Sequence, residues 1–349
     1  MPDQLQWVWK NCLRSSIAVL LLLLVYHHGQ IVTAPVPLDL YEGTMPLATS
    51  IISEGGNPYA REFQPHAADV YPPLYNILMV PITQVFGNSL QLHRAFSALL
   101  IFASCLLCYF TCLRASKSKS SSAAAAVLLY AALLFYGTPV ASTNALGVFL
   151  FLAGLWLPWM FGFSSASLVF ALVCGLLGFY AKQYFLLGPA ILCLYLFVCV
   201  SYRKGLLLGV AFAISLGFSL IVVHQSSPYF LDNTFFVPRA AAAGLQSTDI
   251  LLLQLKMFLL TYAGLFALIT VVGIQFAREQ PPGGWRGFLS LGEGRLFAQP
   301  VDFFWFSLFW ATFAIVLMLG RNPGNYMTYL FQLMSPFFLV AVFSRLPRL

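Results

Sequence analysis

Charge is the scarcest thing in this sequence. Asp, Glu, Lys and Arg together make up 8% of its 349 residues, about a third of what a soluble domain carries, which excludes an ordinary water-facing globular surface. No basic stripe or nucleic-acid motif is present, so the net charge of +7 does not point to a nucleic-acid partner. The seven cysteines (12, 105, 108, 112, 174, 193 and 199) lie in or beside apolar runs, which excludes a disulfide framework. Cys105, Cys108 and Cys112 share one helical face with no His or carboxylate among them. They read as small packing residues rather than a metal site. There is no strand-type alternation, no inverted internal repeat and no separate soluble domain.

What remains is hydrocarbon. Sixty percent of the residues are hydrophobic, the mean hydropathy is +0.83 and 33 residues are Phe, a composition of the integral-membrane class. Only helices and closed barrels satisfy their backbones in lipid. Without alternation, the expected fold is an all-α, polytopic membrane helical bundle forming one domain over 1–349. Helical spans are expected at 15–34, 90–113, 121–137, 144–162, 165–181, 184–201, 205–224, 251–276, 302–319 and 326–344, about ten in all. The first run reads as a span and not a cleaved signal peptide, because it is long and no small-residue cleavage site precedes Pro35. Leu74–Phe86 is too short to span comfortably and reads as interfacial or half-inserted. With both ends cytoplasmic, twelve of the eighteen Lys and Arg residues fall on the cytoplasmic side, the positive-inside bias.

The polar exception is 35–73, PVPLDLYEGTMPLATSIISEGGNPYAREFQPHAADVYPP. It holds Asp39, Glu42, Glu54, Glu62 and Asp69, five of the eleven acidic residues. A polar loop this long in a compact chain is usually functional or disordered. Its interleaved Leu, Ile, Tyr and Phe residues argue for order. It reads as an acid-rich extracytoplasmic cap with short interfacial helices. Asp39 and Glu42 are either a solvated loop start, with Asp39 capping a helix that begins near Tyr41, or a general base and metal ligand facing one pocket. His66 and Asp69 precede Tyr71-Pro72-Pro73, which stiffens the backbone. Lys182-Gln183 interrupts an apolar stretch, either as a snorkelling interface lysine or as a cation for a lipid-linked phosphate. Arg239, Arg321 and Asn325-Tyr326 map to the same face and are weaker candidates of that kind. Pro189 is expected to bend the sixth span and open room for a lipid.

These pieces resemble a known family. The D-x-x-E after the first helix is followed by EGGNPY and by VYPPLYNILMVPITQVFGNSLQLHRAFSALL. That arrangement is similar to the C-class (GT-C) integral-membrane glycosyltransferases, among them protein mannosyltransferases and the lipid A aminoarabinose transferase. Gly56, Pro58, Tyr59, Pro72, Pro73, Leu74, Gly87 and Arg94 carry it. AKQYFLLGP, PYFLDNTFF and GNYMTYLFQLMSP extend it along the chain. The chain departs from the pattern at Ser142-Thr143-Asn144, where many relatives have an acidic residue.

The resemblance implies an inverting hexosyl or pentosyl transferase of the cell (inner) membrane, its site facing outward. It would move a sugar from a polyprenyl-phosphate donor to a lipid, glycan or protein acceptor. Asp39 would be the base, with Glu42 and Asp69 orienting the acceptor. Tyr59, His66, Tyr71, Lys182, Gln183, Arg239, Arg321, Asn325 and Tyr326 would contact substrate. A divalent metal ion on Glu42, His66 and Asp69 is left open. Two rivals are a transporter or flippase of lipid-linked precursors, which calls for mid-span charges and paired repeats, and a non-catalytic assembly subunit, which needs no acid pair.

Overall fold

A helix that is apolar around its whole circumference must be surrounded by others. Asn144–Met160 is such a helix, with 13 of its 17 residues buried, and other described helices pack around it. The structure is a computed structural model. It describes residues 3–39, 42–60, 62, 70–135, 137–236, 249, 252, 256, 260, 302–315 and 330–344, the side chains of 3–10, 13, 330 and 331 excepted.

Among the described residues the helices are, in chain order, α1 (Asp3–Thr33), α2 (Thr44–Ser53), α3 (Leu74–Phe86), α4 (Leu90–Ser116), α5 (Lys119–Leu133) and α6 (Asn144–Met160). They continue with α7 (Ser165–Ala181), α8 (Leu187–Tyr195), α9 (Tyr202–Ser226), α10 (Phe303–Ala314) and α11 (Ser335–Phe343). Among the described residues there is no strand. Helix α6 packs against α4, α7 and α8, while α11 closes over α4 and α5 and α10 lies against α8 and α11. Helices α1 and α9 stand at the periphery with most of their apolar residues exposed.

The ends of these helices are written locally. Ser89, Ser118 and Ser164 each accept the backbone N–H three residues on, and Asp302 accepts those of Phe304 and Trp305. Gly87 ends α3 at φ 81°, a conformation open to glycine and strained for other residues. Gly147 is required by packing instead. The ring of Phe185 lies where a β-carbon would stand, 1.9 Å from the nearest ring carbon, so α6 and the chain after α7 approach backbone to ring.

Among the described residues, four stretches are long and apolar enough to cross a membrane: Arg14–Thr33, Leu90–Ser116, Gln183–Val200 and Tyr202–Ser226. The sequence reading placed most helices within a few residues and α7 at its observed limits. Its first span agrees with Arg14–Thr33 to within one residue, while the helix that carries that span begins earlier. The helix starts at Asp3 and runs 31 residues, about 46 Å, longer than the roughly 30 Å hydrocarbon core of a bilayer. The sixth span differs in kind. It is a 3₁₀ turn (Gln183–Leu186), then α8, then a π-helical turn (Leu196–Val200). Pro189 falls in the first turn of α8, where its missing N–H leaves no intrahelical hydrogen bond unmade. The break is at Lys182, whose backbone is extended (φ −161°, ψ 129°). The short helix of the first loop starts at Thr44 behind Gly43, with no side-chain cap, so Asp39 does not cap it. Leu74–Phe86 is helical over its whole length and packs on α2, α4 and α7. The expected span 251–276 lies outside the described residues apart from three isolated positions.

Ser53 and Ser120 are both exposed, at opposite ends of α4's length. In a Cys12→Ser background, single cysteines at these two positions should react with a membrane-impermeant thiol reagent from opposite sides of sealed vesicles. Reaction from the same side would rule out α4 as a membrane-crossing helix.

Candidate functional site

The polar end of the bundle is built on one ion pair. Arg94 is the fifth residue of α4 and is completely buried. A guanidinium there must be partnered, and four of its five N–H groups are. Nε donates to Glu42 Oε1 at 2.7 Å and Nη2 to Oε2 at 2.6 Å. Nη1 donates to the carbonyl of Ala34 at 2.6 Å and Nη2 also to that of Val36 at 2.7 Å. Glu42 is saturated in turn: Oε1 also accepts the N–H of Ala141 at 2.9 Å, and Oε2 accepts that of Leu38. Burial would raise its carboxyl, but the hydrogen bonds from Arg94, Ala141 and Leu38 and the guanidinium charge outweigh that and hold it below the usual carboxylate range. A carboxylate has about four acceptor positions, and Glu42 has used them. It is therefore not available as the metal ligand or acceptor-orienting group expected from the sequence. It clamps the turn that carries Asp39.

The motif residues of the first loop form a second brace. Gly56 donates its N–H to Ile51 O at 2.8 Å, and a β-carbon there would meet Ile51 at 3.0 Å. Tyr59 is buried, sends its hydroxyl to the carbonyl of Tyr71 and sets its ring edge-on to Phe230 at 5.3 Å. Asn57 Nδ2 donates to Ser227 Oγ at 2.8 Å. The loop is thereby fastened to the chain that leaves α9. Tyr59 acts as an internal strut in this geometry.

Beside the clamp stands a second buried cation. Lys182 is 5% exposed, so it does not snorkel. Its Nζ donates to Asn144 Oδ1 at 2.9 Å and sits 4.8 Å from the centre of the Tyr71 ring, a cation–π distance. Asn144 passes the connection on, donating from Nδ2 to the carbonyl of Gly137 at 2.7 Å. An Asp at this position could not make that second bond. Burial pulls the Lys182 ammonium down to about 8, against the opposing field of Asp39. Asp39 is half-buried on the turn held by Glu42, with Oδ2 3.8 Å from where a β-carbon on Gly137 would lie. Asp39, Gly137, Asn144, Lys182 and Tyr71 thus converge from five separate segments. Gln183 reaches the 227–236 segment, its Nε2 donating to Thr234 O at 2.6 Å.

His66, Asp69, Arg239, Arg321, Asn325 and Tyr326 lie outside the described residues. Among the described residues no group of three or more His, Cys, Asp or Glu gathers around a metal-sized space. Sequence reasoning missed three connections. Asn144 was noticed only as a departure from a pattern, and the Gln332 Nε2 to Thr138 Oγ1 bond, 2.9 Å and 194 residues apart, left no sequence signal. The partner of Arg94 was the third. A lone arginine opening an otherwise uncharged apolar run does announce that some carboxylate must reach it. No family model, curated protein or solved structure matches the chain.

Breaking one side of a buried pair costs about 3–5 kcal/mol, so Glu42→Gln and Arg94→Met should each lower the melting temperature in detergent by several degrees. The double variant should recover part of that loss. Because the folded-state pKa of Glu42 is lowered, its stabilisation is complete above the ordinary carboxyl value of 4.5 and disappears as pH falls below it. Melting followed down an acid series should show a steeper decline for the wild type than for Glu42→Gln.

Proposed function

We propose that this chain is a membrane glycosyltransferase, moving a sugar from a polyprenyl-phosphate donor to a hydroxyl of a lipid, glycan or protein acceptor. The observation that carries this reading is the pairing of a half-buried carboxylate, Asp39, with a buried ammonium, Lys182, at one polar end of an apolar bundle. Each answers one demand of the reaction. The acceptor hydroxyl must lose its proton as its oxygen attacks the anomeric carbon, and a carboxylate in reach takes it. The bond from that carbon to the lipid phosphate breaks, and the departing phosphate needs fixed positive charge where its own charge develops. Attack opposite the leaving group inverts the anomeric carbon. Asp39 is the base and Lys182 the phosphate partner, while Tyr71 and Asn144 hold the ammonium in place. Glu42 and Arg94 act through Asp39, by fixing its turn. His66 and Asp69 belong to the acceptor side, and Arg239 and Arg321 are secondary phosphate contacts.

The same reading gives the chain about ten spans, cytoplasmic ends and an outward-facing 35–73 loop. The positive-inside count supports it, as does the placement of Asp39, Arg94, Asn144 and Lys182 at a single end of α4, α6 and α7. An apolar perimeter of α1 and α9 suits a donor whose tail stays in lipid.

Membrane glycolipids and glycans from cells with and without the protein, compared by mass spectrometry, should differ by one sugar on one acceptor. In nanodiscs, Asp39→Asn should cut turnover by roughly 10² or more while folding persists. Near-wild-type turnover would sink Asp39 as the base. Lys182→Gln should weaken donor binding about ten- to a hundred-fold, the worth of one charge-assisted contact. Donor affinity of the wild type should also fall as pH rises through about 8, where the Lys182 ammonium loses its proton. The Gln variant should lack that dependence.

A further inference from the structure

Lys182 and Gln183 are consecutive at the break after α7, and Gln183 is the residue that meets the 227–236 segment. Its Nε2 is satisfied by Thr234 O, but its Oε1 is buried with no hydrogen-bond partner. Asn233, the neighbour of Thr234, is 8% exposed, and its Nδ2 is likewise buried and unpartnered. One acceptor and one donor are therefore withdrawn from water on two segments that touch. Leaving such groups unmade is unfavourable, and buried polar atoms without partners call for an explanation. Asn233 lies in a π-helical turn, Asp232–Phe236, a wide turn found often at functional sites.

The chemistry of the pair selects its occupant. A phosphate oxygen only accepts, so it would satisfy Asn233 and be repelled by the Gln183 oxygen. A hydrocarbon tail would satisfy neither. A hydroxyl both donates and accepts, and a group carrying several hydroxyls completes both amides at once. We infer that Gln183 and Asn233 form a hydroxyl-binding subsite that holds the sugar headgroup of the lipid phosphate beside Lys182. This rests on the glycosyltransferase reading above and assigns sugar recognition to residues separate from those that hold charge. Thr234 positions the pair, since its carbonyl receives Gln183 while its own hydroxyl donates to Phe230 O at 2.6 Å.

The test measures binding of bare undecaprenyl phosphate and of its glucosyl, mannosyl and arabinosyl esters to the full chain in nanodiscs. Wild type should bind one of the esters more tightly than the bare lipid. Asn233→Leu removes an amide nitrogen that makes no bond in the protein, and Gln183→Met removes the acceptor. Asn233→Ala replaces the first variant where leucine does not fit. Each should erase about ten-fold of the sugar preference and leave affinity for the bare lipid unchanged, whereas Lys182→Gln should weaken both lipids. An unchanged sugar preference, or an equal loss for both lipids in a variant that melts like wild type, overturns the subsite and leaves the transferase reading standing. A wild type that prefers no ester also overturns the subsite. A wild type that binds neither lipid overturns both.

Discussion

Arg94 and Glu42 are 52 residues apart in sequence and completely buried together. Their pairing is the constraint on which the polar end of this molecule depends. Between them they take hold of the carbonyls of Ala34 and Val36, the N–H of Leu38 and the N–H of Ala141. The exit from α1, the turn before α2, the start of α4 and the loop between α5 and α6 therefore meet at one charge pair. A buried ion pair is weak evidence for net stability, because the desolvation of two ions offsets their attraction. Its value here is geometric. Each partner is so fully bonded that a shift in any of these segments would leave an uncompensated charge.

The second buried cation is treated differently. Arg94 meets a carboxylate in two-pronged contact, whereas Lys182 is held by the oxygen of an amide and the face of a ring. Asn144 supports the ammonium through its amide oxygen and passes the connection on to Gly137. Asp39 is near enough to be felt by Lys182, yet its turn is set by Glu42 and not by the lysine. One pair fixes the frame in which the other groups stand.

The motif that links the first loop to α3 and α4 acquires a physical meaning in this arrangement. Gly56 allows the tight contact with Ile51, Gly87 supplies the positive φ that ends α3, and Tyr59 ties the loop to Tyr71. None of these side chains is an open reactive group. They orient the segment from which Asp39 and Tyr71 approach Lys182.

Much of the helical layout was legible in the sequence, because an apolar run of fixed length and a serine or glycine at its end are local signals. Helix α7 was found at its limits for that reason, bounded by the Ser164 cap and the polar break at Lys182. The polar first loop was legible as a place, and so was the oddity of a lysine inside an apolar stretch. Local pattern did not carry the extension of α1 through its charged beginning, since helix continuity does not depend on hydropathy. Nor did it show that the backbone turns extended at Lys182, between α7 and the sixth span. The roles of the charged residues were decided only in three dimensions. Two carboxylates three residues apart, Asp39 and Glu42, look alike in sequence. Burying Arg94 required one of them, and the fold chose Glu42 by bringing α4 and the Ala141 loop to it. That choice leaves Asp39 at the edge of the site. The pairing energy of a buried charge depends on which distant segments surround it, and no local stretch of sequence holds that information.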